Sequence, residues 1–374
     1  MRFYRSKIES AAARRLEDRI RREGPLRYDV FLNEALYGPD GYYTRGAAIG
    51  KEGDFVTAPH VTPLFGYTLA HHIATIWEQM GCPAPFFICE LGAGEGYLAQ
   101  DILQTLQERA AACWEALEQY VLFERSPVLR AREQTRLEGF AQKVSWTLPH
   151  GVEAAVVLSN ELFDALPVRI FTQEGGGLRE IGITAEAGDL TETLLPLPMD
   201  EMPAAVAEVA SELQEGWRFE WAPDVSALYT HISEIAKKLA VLTIDYGDLR
   251  QARLHHDPQG TLVGYSGQRQ VENPLWRAGE IDLSSRVDFS QLIECGQVCG
   301  LRFWGPYKMG VYLLALGIDT YLTPADPTRL FDNMALRRNG QVWQLVYTMG
   351  QYFQVLLQYR GFDLDDPLAE PSDR

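Results

Sequence analysis

The sequence predicts an α/β protein built around a doubly wound, mainly parallel sheet, with a helical cap on its N-terminal side and an inserted subdomain. Three observations predict it. Apolar runs of strand length alternate with amphipathic stretches of helix length, the pattern of linked βαβ units. Four of those runs end in polar or acidic residues, at Glu90, Glu124, Asn160-Glu161 and Asp245, and in an open parallel sheet ligands gather at the carboxyl ends of strands. One run, Phe86-Phe87-Ile88-Cys89-Glu90-Leu91, passes through Gly92, Gly94 and Gly96 into an amphipathic stretch. A buried strand hands over to a helix in this way, through a tight loop.

In chain order, residues 8–22 form an amphipathic pattern closed by Gly24-Pro25, which predicts a helix. A second helix spans 28–36, with Asp29 as a candidate cap and Val30, Phe31 and Leu36 on its apolar face. Tyr37-Gly38-Pro39-Asp40-Gly41 is turn chemistry. Residues 49–66 are rich in glycine, proline and polar groups, and an irregular segment this long is functional more often than idle. A helix over 64–80 carries His71 and His72, which as neighbours face different directions and make no ligand pair. Residues 120–127 read as a second buried strand, 128–137 as a helix, 144–148 as a weaker strand, 154–159 as a clear one and 168–172 as an extended piece. The stretch 175–223, with Gly175-Gly176-Gly177, several prolines and scattered acids, reads as an insertion of strands and a short helix. A helix over 225–239 and a strand over 240–244 resume the alternation. There follow a strand at 261–265, a polar loop with Glu280, Asp282 and Asp288, a helix at 289–299, a strand at 301–304 and a helix at 307–316. The aromatic-rich 345–354 fits a strand or a helix equally well. The predicted division is 1–80 for the cap and the loop at Gly53, 81–174 and 224–374 for the two parts of the core, and 175–223 for the insertion.

Of the 374 residues, 46% are hydrophobic and 23% charged, a composition that supports a large core. Lys and Arg number 34 against 51 Asp and Glu, a net charge of −17. That balance argues against nucleic acid as the main partner, because phosphate binding needs a basic face, and it suits a cationic substrate. Cys82, Cys89, Cys113, Cys295 and Cys299 contain no CxxC pair, so neither a disulfide framework nor a metal site is indicated and a reducing compartment fits. Met1-Arg2-Phe3-Tyr4-Arg5 has no apolar leader character, and no apolar run reaches membrane-spanning length. The expected location is cytoplasmic, without membrane insertion.

The glycine spacing bears on the ligand. A dinucleotide fingerprint has its third glycine one position later, and a phosphate-binding loop continues with Lys, which is missing here. Glu124 lies 32 positions beyond Gly92 (124 − 92), one βαβ unit on, where an acid accepts hydrogen bonds from ribose hydroxyls. Glu95, inside the loop, would be unfavourable beside phosphates. S-adenosylmethionine carries a sulfonium cation, an amino group and no phosphate, so the acids favour it.

At this point the residues resemble a known family. Glu90-Leu91-Gly92-Ala93-Gly94-Glu95-Gly96 is similar to the first motif of class I S-adenosylmethionine-dependent methyltransferases, which implies a Rossmann-like sheet. Three further stretches together resemble the MidA family, whose mitochondrial members are complex I assembly-factor methyltransferases. They are Gly53-Asp54-Phe55-Val56-Thr57-Ala58-Pro59, Ser159-Asn160-Glu161-Leu162-Phe163-Asp164-Ala165-Leu166-Pro167-Val168-Arg169, and Gly279-Glu280-Ile281-Asp282-Leu283 followed by Val287-Asp288-Phe289. The resemblance implies S-adenosylmethionine binding by Gly53, Asp54, Thr57 and Pro59, by Glu90, Gly92, Ala93, Gly94 and Gly96, by Glu124, Arg125 and Ser126, and by Asn160 and Glu161. It also implies methyl transfer to an arginine of a protein substrate, in the mitochondrial relatives a complex I subunit. Glu161, Asp164 and Asp54 are the candidate catalytic acids. Carboxylates that clamp a guanidinium localise its charge on one nitrogen and aim another at the methyl group. Arg169 is expected to pair with one of these acids. The chain departs from the family at His60, where Glu is usual, and at Thr62, where Ser or a similar residue is usual. The alternative readings are a small-molecule methyltransferase and a non-catalytic cofactor-binding assembly factor. The oligomeric state stays open, a dimer included.

Overall fold

The computed structural model describes residues 3–46, 57–322 and 333–369. The element that organises it is a mixed sheet whose strands are β1 (Phe86–Leu91), β2 (Leu117–Phe123), β3 (Val144–Ser145), β4 (Val152–Asn160), β5 (Ala236–Asp248), β6 (Arg302–Lys308) and β7 (Phe353–Arg360). Their spatial order is β3-β2-β1-β4-β5-β7-β6, and Val287–Asp288 adds a short parallel pairing at the end of β5. From β3 to β5 all pairings are parallel, whereas β7 runs antiparallel to both β5 and β6.

The central strands are apolar on both faces because helices cover both. Ala154, Ala155, Val156, Val157 and Leu158 of β4 are all buried, the near-continuous run expected of a doubly covered parallel strand. Alternate residues feed two cores. Ile88, Tyr120, Val156 and Leu242 point to a layer made by helices Leu64–Gln79, Tyr97–Arg109 and Met309–Ala315. Cys89, Val121, Val157 and Val241 point to the opposite layer, made by helices Ala11–Glu23, Tyr28–Tyr37, Asp224–Ser233 and Phe289–Val298. Helix starts are fixed by side-chain caps: Ser10 accepts from Ala13 N–H at 3.0 Å, and Asp288 accepts from Ser290 and Gln291 N–H at 3.0 and 3.3 Å. Such caps are worth about 1 kcal/mol each.

A second sheet is antiparallel throughout. Its order is Arg5–Lys7, Asp189–Leu195, Gly177–Glu186, Arg169–Glu174 and Arg218–Trp221, with Leu26–Arg27 pairing to Gly177–Glu186. This differs from the division read in the sequence at two points. Arg169–Glu174 belongs to this second sheet rather than to the core, and the N-terminal segment supplies two strands as well as helices. Short strands paired across more than 150 residues leave no local pattern to find. Buried ion pairs staple the sheet. Arg218 grips Glu192 bidentately at 2.8 and 2.7 Å while Tyr28 OH donates to the same carboxylate. Among the described residues Arg169 grips Glu180 rather than Glu161 or Asp164, so its expected partner is corrected.

Two further boundaries move. The helix expected over 225–239 ends at Ser233, because β5 claims thirteen residues from Ala236 onward. In the ambiguous 345–354 stretch, a π-helical turn at Gln344–Thr348 and a 3-10 turn at Met349–Gln351 lead into β7. All five cysteines are unpaired.

Candidate active site

The site forms where β1, β2, β4 and β5 end. Gly92, Gly94 and Gly96 have φ of 70°, 61° and 77°, left-handed values that other residues adopt only at a cost. Gly92 N–H donates to Phe123 O at 2.9 Å, which ties the loop to the end of β2. A Cβ at Gly92 would come within 2.9 Å of Leu162 Cδ1. The loop delivers the chain to the N-terminus of helix Tyr97–Arg109, whose first residues Tyr97 and Leu98 line the same hollow.

Glu124 is held in place by backbone donors. Its Oε1 accepts from Ser126 N–H at 2.7 Å and its Oε2 from Gly94 N–H at 3.4 Å, so the carboxylate spans the ends of β1 and β2. Burial pushes its pKa up. The Arg125 guanidinium lies 4.4 Å above the Tyr37 ring, and Ser126 caps the next helix while donating to Tyr43 O at 2.8 Å. Glu90 sits beneath the loop, accepts from Tyr120 OH at 2.5 Å, and is pushed by burial to about 8. One electrostatic expectation changes. Glu95 is not a free anion beside the ligand, because Arg132 Nη1 pairs with it at 2.7 Å and His60 Nε2 lies 3.7 Å away. His60, the departure from the family pattern, also contacts Thr57 Oγ1 through Nδ1 at 2.6 Å and lies against the Tyr97 ring.

The acidic end is built on the turn after β4. Glu161 adopts φ 55°, a left-handed conformation that costs a non-glycine residue about 1–3 kcal/mol. Its carboxylate accepts from Asn160 Nδ2 at 3.0 Å, from Tyr246 OH at 3.4 Å and from the Ala58 N–H. Desolvation, then the proximity of Asp164, raises its pKa to about 8. Asp164 is buried, and desolvation followed by the charges of Asp245 and Asp282 holds its pKa well above the usual carboxylate range. Neither Glu161 nor Asp164 has an ion-pair partner among the described residues. Asp245 is fully buried and accepts from the N–H groups of Leu162, Phe163 and Asp164 at 3.1, 2.8 and 3.4 Å.

One cavity of about 640 Å³ joins the two ends, within the range of small-ligand sites. Thr57, Pro59, Glu90, Gly92, Ala93, Gly94, Glu124, Arg125, Asn160, Glu161 and Asp164 all line it. Gly96 and Ser126 stand just behind the lining, Gly96 opening the helix and Ser126 supporting Glu124. Gly53 and Asp54 lie outside the described residues. Sequence reasoning missed the tyrosines Tyr43, Tyr246 and Tyr265 and gave Asp282 no role, yet all four line the cavity. Tyr43 OH donates to Asp282 Oδ1 at 2.8 Å. Tyr246, directly after the strand-end Asp245, and Asp282, inside the family-like stretch from Gly279 to Leu283, carried a signal.

The donor and acceptor set fits S-adenosylmethionine. Glu124 offers carboxylate lone pairs beside the glycine loop, and the cavity wall beyond it is acidic rather than basic. Asn160 Oδ1 is buried with no hydrogen-bond partner among the described residues, an acceptor left for a ligand donor.

Comparisons with known proteins agree with this geometry. Residues 68–307 match the family described as "Putative S-adenosyl-L-methionine-dependent methyltransferase". The mouse protein arginine methyltransferase NDUFAF7, mitochondrial, is 28% identical over 344 residues, 83% of this chain and 74% of that protein. Its Drosophila melanogaster homolog is 25% identical over 403 residues, 95% of this chain and 87% of that protein. A crystal structure from Burkholderia thailandensis, bound to S-adenosyl-homocysteine, superposes with a TM-score of 0.84 at 30% identity and covers 96% of this chain and 94% of its own. With a family model matched over residues 68–307 and a superposition along 96% of its length, the chain belongs to the MidA family of S-adenosylmethionine-dependent methyltransferases.

Proposed function

We propose that this methyltransferase acts on a guanidinium nitrogen of an arginine in a protein substrate. The observation that carries the reading is the pair of unneutralised carboxylates, Glu161 and Asp164, in a cavity shared with the cofactor loop. Acids held protonated by desolvation become anions again when a fixed cation enters, and a guanidinium is such a cation at any physiological pH. The relatives named as protein arginine methyltransferases point the same way.

When bound, S-adenosylmethionine supplies an electrophilic methyl group on a positively charged sulfur. The chain's own residues do the rest. The loop of Gly92 and Gly94 lets the backbone lie against the ligand, Glu124 accepts ribose hydroxyls, and Asn160 Oδ1 accepts a ligand N–H. Glu161 and Asp164 accept N–H groups of the guanidinium, hold it in one orientation, and Glu161 takes the proton released on transfer. Asp282, fixed by Tyr43, closes the far side. Positioning of this kind accounts for most of the acceleration expected of a simple in-line transfer. Among protein substrates, the sequence resemblance favours an arginine of a respiratory complex I subunit. Five unpaired cysteines fit a reducing compartment, and we propose the cytoplasm; the relatives compared above are named as mitochondrial.

Incubation with methyl-labelled S-adenosylmethionine and a protein extract tests the reading. Label in a protein band as methylarginine, lost in Glu161→Gln, is the expected result. Label confined to small molecules would transfer the assignment to that class, and tight cofactor binding without transfer would make the protein a non-catalytic binder.

A further inference from the structure

We propose that Asp245 is a positioning residue for methyl transfer: its buried carboxylate gathers the backbone N–H groups of the turn that presents Glu161 and Asp164. The inference rests on the role given above to Glu161.

The geometry follows from the sheet. β5 pairs in parallel with β4, and Ile244 lies opposite Asn160. The last rung of this ladder is Glu161 N–H donating to Ile244 O at 3.0 Å. Beyond it β4 has ended while β5 continues, so Asp245 faces a chain that is turning away. The turn begins at Glu161 with φ 55° and leaves three successive N–H groups without strand partners. All three converge on one oxygen. Asp245 Oδ2 accepts from Leu162 at 3.1 Å, Phe163 at 2.8 Å and Asp164 at 3.4 Å, while Oδ1 accepts from Tyr246 N–H at 2.8 Å.

Asp245 has no exposed surface, and no Lys or Arg pairs with it among the described residues. Burial raises its pKa to about 7, and its ionised form is met by backbone donors alone, as in an oxyanion site turned inward to serve the protein itself. An amide at this position keeps one acceptor oxygen of weaker pull, turns N–H groups toward the remaining donors and loosens the turn.

The turn is more than a structural corner, because three of its four side chains meet the reaction site, while Phe163 packs into the core. Glu161 and Asp164 line the cavity, and Leu162 is the side chain that packs against Gly92. Asp245 itself does not line the cavity. It therefore acts through other residues, and it fixes the acids relative to the cofactor loop.

The test compares Asp245→Asn with wild type, with Glu161→Gln and with Arg169→Met, the last of which opens a buried ion pair in the second sheet and reports what destabilisation alone does. Each protein is measured for thermal midpoint, for S-adenosylmethionine affinity by calorimetry, and for the initial rate of label transfer into protein at saturating S-adenosylmethionine. Asp245→Asn is expected to bind S-adenosylmethionine within a few-fold of wild type and to lose about a hundredfold in rate, the cost of misplacing a reacting group by an ångström. Arg169→Met is expected to melt earlier and keep its rate. A wild-type rate in Asp245→Asn overturns the proposal, as does a loss no larger than that of Arg169→Met at equal thermal midpoint. An undiminished rate in Glu161→Gln overturns the role of Glu161 and is seen separately from any result at Asp245. Should Asp245→Asn fail to fold, amide exchange in the wild type decides. Slow exchange at Leu162, Phe163 and Asp164 supports the anchor, and exchange at solvent rates overturns it.

Discussion

Single carboxylates in this site do different work because their surroundings differ. Glu124 is anchored by Ser126 and Gly94 N–H groups beside the glycine loop, so Glu124→Ala is expected to reduce S-adenosylmethionine binding below detection by calorimetry while the thermal midpoint of the cofactor-free protein changes little. Glu161 is pushed by burial to about 8, and transfer requires it ionised. At subsaturating protein substrate the rate should therefore rise with pH up to about 8, reporting the free enzyme, and Glu161→Gln should lose that limb near pH 8 in its remaining rate. Glu124 was legible in the sequence because a one-unit spacing from Gly92 is a local quantity. The Tyr43–Asp282 contact was not, because it joins residues 239 positions apart and no periodicity reports such a meeting.

At the scale of elements, the glycine loop and the turn after β4 are one fitted pair. Gly92→Ala adds a Cβ at φ 70° and within 2.9 Å of Leu162 Cδ1, combining backbone strain of about 1–2 kcal/mol with a steric push on the turn. S-adenosylmethionine affinity is expected to fall at least tenfold, and calorimetry would show it. Far from the site, Arg250 is buried and binds Asp288, Glu294 and Glu208 at 2.9, 2.7 and 2.5 Å. Arg250→Met strands the buried Asp288 and should cost about 3–5 kcal/mol of stability by denaturant titration. Strands bounded by long apolar runs, such as β1 and β4, were readable because burial on both faces needs such runs. The short strands at Arg5–Lys7 and Leu26–Arg27 were not, since partners at Asp189–Leu195 and Gly177–Glu186 define them.

For the whole molecule, acids that lose their solvation with no ion pair among the described residues to offset it make stability depend on pH. Burial raises Glu90 to about 8 and Asp101 and Glu133 to about 7, against about 4 for an unfolded carboxyl. The folded state then holds more protons than the unfolded state between those values, so the contribution is complete below about pH 4 and is lost as pH rises to about 8. The thermal midpoint should fall between pH 6 and pH 9, and Glu90→Gln should flatten that fall. A midpoint that rose over this interval would contradict the burial assigned to these groups.

The position of β7 has a consequence for biosynthesis. It lies between β5 and β6 although it follows both in the chain, so the ribosome releases two neighbours before the strand that joins them. Until Phe353–Arg360 emerges, β5 presents an open hydrogen-bonding edge lined by Leu242 and Ile244, the kind of surface that recruits other chains. Completion of the sheet is thus an act of the finished polypeptide, and chains halted before residue 353 are expected to be held by chaperones or to aggregate.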